Sequence, residues 1–471
     1  MSHAELDRLQ ACLNFALDTL RREMDNSQLP PLSQCSSVEH PLDDPTSYLP
    51  STALFDARRL SLACLGELKN LVQSPLDKRM DEKYSAYGAA SIDILIKTSI
   101  IDYMSDLSNP SEGIPAAELA STFGLDSQKL IPILRCCAAN GWVRETRDSS
   151  FALNRCSRTF IKGHPGRRLN LSTPGFMSIV GVMPSWVMES DWKLSRSPAQ
   201  TGFQIAFKTP LQRFSWVMQN PHALIPLADH LQVLGDMSTP GIVADYPWEQ
   251  LETPIIVDCG GGEGGLVTAI LDAHPSFRAI VQDMENVVAL TSSIMKERRP
   301  RDVESGTLNV ETHDLFQSQP RIGNEYSFIL RHILSMYQRH DWPDKEAAAI
   351  LGNIARALGP KANSRINSKI LIVEMVAVPN VDSTATTSAE LFLLDGNDKR
   401  LDYDVPSHFG SASKLVNAFS VHMLTLMNGC ERSLREWESL VNGCGLRITN
   451  VYPLRAHTSV IECALGTRAL L

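Results

Sequence analysis

The segment that most restricts the fold is residues 255–271, IIVDCGGGEGGLVTAIL. An apolar run of Ile255, Ile256 and Val257 ends in Asp258 and meets Gly260, Gly261, Gly262, Gly264 and Gly265 almost at once. A helix-like stretch, 266–271, follows. This is the strand, glycine turn and helix of a nucleotide-binding α/β unit. Glycines permit the sharp turn and leave no Cβ between the backbone and a ligand lying on it. Dinucleotide and S-adenosylmethionine sites share such turns, and a tight turn in any α/β sheet is the plain alternative.

The residues after the turn extend the pattern. Residues 278–283 read as a second strand ending in an acid, roughly twenty residues past the turn, where a carboxylate can accept hydrogen bonds from ribose hydroxyls. Residues 308–314, 326–331 and 369–374 read as three more strands, separated by helices such as 342–358. The closely spaced pair 446–452 and 459–464 reads as an antiparallel hairpin at one edge. The expectation is a Rossmann-like α/β domain, a mostly parallel seven-stranded sheet with its ligand at the carboxyl ends of the strands.

The preceding half is helical. Leu6, Leu9, Leu13, Ala16 and Leu20 fall near helical spacing, and a Pro- and Ser-rich stretch after them reads as a linker or loop. A helix is expected over 89–107, with apolar Ile92, Ile94, Leu95, Ile100 and Ile101 on one face. Residues 114–138 read as two short helices around Gly124, and 142–153 as a two-stranded wing. That is a winged helix, a module that often binds DNA. Its recognition segment offers only Lys129 and Arg135 among apolar residues, which favours a protein–protein role. Residues 171–250 are rich in aromatics and methionine, a composition that serves equally as core or as wall of a flat apolar site. The expected domains are 1–50 (helix and linker), 51–170 (winged helix), 171–250 (helical connector to the substrate pocket) and 251–471 (the α/β domain).

Composition narrows the function classes. A net charge of -9 gives a nucleic-acid partner no electrostatic support. Ten cysteines without a CxxC pair carry no zinc spacing and read as free thiols of a reducing compartment, so no metal is expected. The N-terminal MSHAELDRLQ is not a signal peptide, and no apolar run approaches the ~20 residues of a membrane span. A cytoplasmic protein is expected.

With these residues placed, the chain from about Ser85 onward resembles the class I S-adenosylmethionine-dependent O-methyltransferases, in particular the plant caffeate-type and fungal secondary-metabolite group. VDCGGGEGG (257–265), VQDMENVV (281–288), HDLFQSQP (313–320), HDWPD (340–344), VEMVAVP (373–379) and CERSLREWESL (430–440) are similar to its motifs, in order. GIPAAELASTFGLDSQKLIPILRCCAANGWVRE (113–145) is similar to its dimerisation domain, so a homodimer is implied. The resemblance implies that Gly260, Gly262 and Gly264 pass under the methionine and ribose of S-adenosylmethionine, with Asp258, Gly261, Met284 and Arg331 in the same cofactor set. Asp283 would take the ribose hydroxyls, while Asp314 and Leu315 or Phe316 would hold the adenine. His340 would be the general base, flanked by Glu374 and Glu431, and the substrate a phenolic or enolic hydroxyl of an aromatic polyketide-type metabolite. An imidazole with pKa near about 6.5 is suited to take the proton of a phenol near about 10 during transfer.

The chain departs from the pattern just before that base. The family runs directly from this strand into its histidine, whereas here SMYQR (335–339) intervenes after LRHIL. His332 is the second histidine available. Residues 363–368 and 382–417 are further additions, the latter with a polar loop, DGNDKRLDYD. Two other functions stay open: a cofactor-binding enzyme of this fold that dehydrates or cyclises its substrate instead, and a winged-helix regulator with a vestigial enzyme domain.

Overall fold

The computed structural model describes residues 3–36, 38–106, 112–171, 175–335, 343–358, 368–378 and 410–466. They fall into two units, Met1–Met177 with Asn220–Leu234, and Ser178–Gln219 with Gly235–Leu471.

The first unit begins with α1 (Ala4–Asn26) packed on α2 (Thr52–Val72) through buried Leu9, Cys12, Ala16, Leu60 and Cys64. The proline- and serine-rich stretch between them is anchored rather than free. His40 and Leu42 are buried, Asp43 pairs with Arg155, and Glu39 Oε1 lies 2.8 Å from His164 Nε2. The helix expected over 89–107 is two: α3 (Pro75–Lys97) and α4 (Ile100–Ser105). The break is at Ser99, whose φ of 60 is left-handed and ends the regular ladder.

The winged helix follows as β1 (Ile114–Pro115), α5 (Ala116–Phe123), α6 (Ser127–Ala139), β2 (Val143–Arg147) and β3 (Ser150–Leu153). The three strands form an antiparallel sheet of order β1-β3-β2. Asp126 caps α6 by accepting from Lys129 N at 3.0 Å, and Leu119, Leu130, Leu134 and Phe151 fill the core. Arg135 is spent on the wing, paired with Glu145 and Asp148 at 2.9 and 2.7 Å. That removes one of the two cations a base-reading helix would have used.

Helices α7 (Arg155–Arg158), α8 (Pro165–Leu171) and α9 (Phe176–Met188) come next. Then come α10 (Gly202–Phe207), α11 (Arg213–Met218) and α12 (Pro221–Asp245). Within the second unit, Phe203 packs on Phe207 and Trp216 with ring centroids 4.7 and 5.6 Å apart.

The sheet of the second unit contains β4 (Ile255–Cys259), β5 (Arg278–Asp283), β6 (Leu308–Thr312), β7 (Tyr326–Arg331), β8 (Ile370–Glu374), β9 (Leu446–Pro453) and β10 (Ser459–Leu465). Its order is β6-β5-β4-β7-β8-β10-β9, parallel through β8 and antiparallel over the last two. This is the mostly parallel sheet with an edge hairpin that the sequence predicts. Between the strands run α13 (Gly265–Ala273), α14 (Glu285–Arg298), α15 (Pro300–Ser305) and α16 (Pro343–Ala357). Then come α17 (Lys414–Met427) and α18 (Leu434–Gly443). Alternation along the strands sends Val257, Phe328 and Ile372 to one face, with Ile350, Ile354 and Trp437. Ile256, Ile329 and Val373 go to the other, with Leu266, Ile270 and Trp248. Each such fully buried aliphatic or aromatic side chain contributes about 1.5–3 kcal/mol.

Candidate functional site

Strand order reverses at β4, with β5 and β6 on one side and β7 and β8 on the other. In open α/β sheets, ligands bind in the crevice beyond the carboxyl ends of the strands at such a point. Here the two lips are the glycine turn after β4 and residues 332–335 after β7. They touch. Gly260 has φ 76, left-handed backbone that strains any other residue, and a Cβ added there would lie 2.6 Å from Ile333 Cδ1 and force that side chain to shift. Gly262 has φ 55 and open space where its Cβ would be. Its N–H donates to Asp283 Oδ2 at 2.9 Å and its carbonyl accepts from Thr291 Oγ1 at 2.7 Å, so the turn is held from below. Thr291 carried no signal in the sequence, because only the fold brings α14 under the turn.

The acceptors expected for a cofactor gather round this turn. Asp283 also accepts from Met284 N at 2.7 Å through Oδ1, and a carboxylate has roughly four acceptor positions, so two remain. Asp258 is buried and its Oδ2 has no partner among the described residues. Burial pushes its pKa up to about 6, against the pull of Arg331 and with a smaller push from Asp283. Arg331 itself braces α12, donating from Nη1 to Gly235 O at 3.0 Å and Thr239 Oγ1 at 2.9 Å. His313 N–H donates to Asp283 O at 2.9 Å, which ties the loop after β6 to the end of β5. Within that loop Asp314 Oδ1 accepts from Phe316 N at 3.0 Å, and Leu315 and Phe316 pack partly buried on the core. Gly261 sits directly over Asp258, Gly264 caps the start of α13, and Met284 is exposed.

On the other lip, Glu374 ends β8 and is wholly buried. Its Oε1 accepts from Leu334 N at 2.9 Å and Ser335 N at 3.2 Å, and its Oε2 from Ser335 Oγ at 2.8 Å. His332 directs Nδ1 toward Oε2 at 3.7 Å, while its N–H donates to Val373 O at 3.1 Å. Its Nε2 is enclosed and has no hydrogen-bond partner among the described residues. Glu431 is buried, and its pKa is raised to about 8 by burial and by Glu374, with Arg432 pulling the other way. Arg432 donates to Leu334 O at 3.0 Å and pairs with Asp344 at 3.0 Å, closing the turn from outside. His340 and the rest of the inserted SMYQR beyond Ser335 lie outside the described residues. Glu374, Glu431 and His332 are thus brought together.

This arrangement fits a nucleoside-bearing cation. It has a side-chain-free turn, unspent carboxylate acceptors for ribose, a buried carboxyl oxygen without a donor, and an apolar ledge for a base. Among the described residues no group of three or more His, Cys, Asp or Glu side chains could hold a metal ion. No helix among them is long and apolar enough to cross a membrane.

Comparison with known proteins agrees. An O-methyltransferase domain family matches residues 198–399. The chain is 24% identical over 449 residues to O-methyltransferase gedA of Aspergillus terreus, covering 88% of this chain and 87% of that one. It is 24% identical over 425 residues to 3-O-methyltransferase 2 of Phanerochaete chrysosporium, covering 89% of each. Among solved structures, LepI in complex with SAM superposes with a TM-score of 0.66 at 20% identity, over 87% of this chain and 94% of that one. The mitomycin 7-O-methyltransferase MmcR superposes with a TM-score of 0.60 at 20% identity, over 83% and 97%. Six motifs in order, the reversed sheet with its glycine turn, and these relatives agree: residues 198–399 match an O-methyltransferase domain, and most of the chain is similar to proteins named O-methyltransferase.

Proposed function

We propose that the protein methylates a phenolic or enolic hydroxyl of an aromatic, polyketide-type secondary metabolite. The observation that carries this is the meeting, at one switch point, of the glycine turn with a buried acid–base group. Asp283, Gly260 and Gly262 stand on one lip, and Glu374, Glu431 and His332 stand on or beside the other. The fungal relatives named O-methyltransferase support the same chemistry. Bound S-adenosylmethionine supplies a methyl group on a positively charged sulfur. The protein's part is to hold the hydroxyl in line with that methyl and to take its proton. Alignment of this kind accounts for about 7–11 kcal/mol of barrier reduction in well-oriented systems. The family resemblance gives the proton to His340, with Glu374 and Glu431 as its flanking carboxylates.

The protein is further proposed to work as a homodimer in the cytoplasm, with a small-molecule partner and no nucleic acid. The ten free thiols and the paired Arg135 support this setting. Purified protein incubated with S-adenosylmethionine and a panel of phenolic polyketides is expected to release S-adenosylhomocysteine and a methylated product. Tight cofactor binding without S-adenosylhomocysteine across the panel would overturn methyl transfer. It would favour a cofactor-bound dehydratase or cyclase, for which Glu431, protonated at neutral pH, is the fitting acid.

A further inference from the structure

An arginine in the second unit faces inward without a counter-charge. Arg213 begins α11, and helical spacing puts Trp216 and Val217 on the same face of that helix. Val217 is buried, and Trp216 packs on Phe203 and Phe207 with ring centroids 5.6 and 4.8 Å apart. The face that carries Arg213 is therefore the one turned into the protein. Among the described residues its side chain makes no ion pair, hydrogen bond or ring contact. Other inward arginines of this unit differ: Arg331 has Asp258, Arg432 has Asp344 and Arg455 has Asp245.

Arg213 is not sealed off. It keeps part of its surface accessible, whereas Val217 and Gln204 beside it are buried. Burial pushes the guanidinium down to about 10, and no carboxylate pulls it back. A charge that is desolvated yet reachable stands in the wall of a recess. Left without an anion there, it costs free energy that a bound anion would offset. The wall itself is firmly built. Gln204 donates from Nε2 to Pro198 O and Leu211 O, both at 3.1 Å, which fixes the turn into α11. Phe203, Phe207, Phe214 and Trp216 pack with Met423 and Leu426 of α17. Glu431 follows that helix, and its N–H donates to Ser420 Oγ of α17 at 3.1 Å. One packed frame thus connects Arg213 to the buried carboxyl group.

We propose that Arg213 binds a carboxylate of the substrate, so that this enzyme takes an aromatic hydroxy acid. The inference rests on the methyl-transfer reading and adds an acidic group to its substrate. The planar guanidinium fork matches a carboxylate with two parallel N–H···O bonds, and the surrounding rings suit a flat aromatic body. A phenol held at a second point by its carboxylate is fixed in orientation, which in-line attack on a methyl group requires.

The test is calorimetry on the full-length protein loaded with S-adenosylhomocysteine. Its probes are hydroxybenzoates and hydroxynaphthoates, each beside its methyl ester. We expect the parent to bind an acid about 10²-fold more tightly than its ester, the usual worth of a desolvated charge pair. Arg213→Met should weaken the acid by that factor and remove the preference. Arg213→Lys should keep part of it, because the charge stays and the fork is lost. Both variants should bind S-adenosylhomocysteine as the parent does. Without ligand, Arg213→Met should unfold at or above the parent's thermal midpoint, since it removes an unpaired inward charge. A parent with no preference across the panel, or a variant that weakens acid and ester equally, would overturn the proposal. So would an unliganded Arg213→Met midpoint well below the parent's, the mark of a structural ion pair. Turnover separates the two readings. S-adenosylhomocysteine released from S-adenosylmethionine equally with acids and esters would sink the carboxylate site and leave methyl transfer standing. Selective binding of acids with no turnover of any of them would support the carboxylate site and overturn methyl transfer.

Discussion

Glu431 carries its carboxyl into a buried site beside another carboxylate, and the consequence is a proton held at neutral pH. Its ordinary value of 4.5 is raised to about 8, by burial first and Glu374 second. The folded chain therefore keeps a proton that the unfolded chain releases between those two values. Stability from this group is fully present below about pH 4.5 and is lost as pH rises through about 8. Glu431→Gln stays neutral throughout and should remove that dependence. The midpoint of thermal unfolding of the parent is expected to fall relative to the variant as pH is raised across this window. Parallel curves would show that the carboxyl is charged in the native state. The same residue marks the limit of sequence reasoning at this scale. That Glu431 and Glu374 face one another is implied by the family resemblance, but which of them holds a proton depends on burial that no local pattern reveals.

At the scale of elements, α18 depends on its first turn. Ser433 and Glu436 form a capping box: Ser433 Oγ accepts from Glu436 N, and Glu436 Oε2 accepts from Ser433 N at 2.8 Å. The helix it starts buries Trp437 and Val441 against the sheet, and it follows directly on Glu431 and Arg432. Ser433→Ala is expected to lower stability by about 1 kcal/mol, read from the midpoint of denaturant unfolding at constant slope. An unchanged midpoint would mean that tertiary packing alone fixes this turn. Elements whose cause is local were legible beforehand. The glycine turn, the five parallel strands and the edge hairpin follow from glycine content and apolar runs. Elements whose cause is distant were not. The break at Ser99 and the left-handed His332 have no glycine to announce them. The two-residue β1 exists only because β3 lies beside it. The stretch after α1 reads as a linker until Arg155, more than a hundred residues on, is seen to pair with Asp43. Likewise Arg331 reads as a cofactor contact from its motif, and its partners Gly235 and Thr239 come from a helix nearly a hundred residues earlier.

For the molecule as a whole, the first unit leaves apolar surface that its own core does not cover. On α3, Leu76, Met80, Tyr84 and Tyr87 recur at spacings of four, four and three and are all exposed, Leu76 by 80% and Tyr87 by 66%. Tyr84 and Tyr87 stack with ring centroids 6.1 Å apart. On α2, Leu62, Leu65 and Val72 are exposed as well, Val72 by 75%. A stripe of large apolar residues over three helical turns is more than the scattered exposure normal for a surface, and it has the pattern of a helix that packs on another. A second copy of the chain is the partner that the homodimer reading names, and an isologous contact would set the same stripe against itself. A stable interface of this kind buries about 1,200–2,000 Å² in total. Sedimentation velocity of the parent at micromolar concentration is expected to give the mass of a dimer. Leu76→Glu combined with Tyr87→Glu should shift it to monomer, because two carboxylates per chain would face their copies across a desolvated contact. The helix surface itself should tolerate the change, so circular dichroism and S-adenosylmethionine affinity should stay with the parent. A parent that sediments as a monomer would remove this stripe as a dimer face, and a variant that stays dimeric would move the contact elsewhere on the chain.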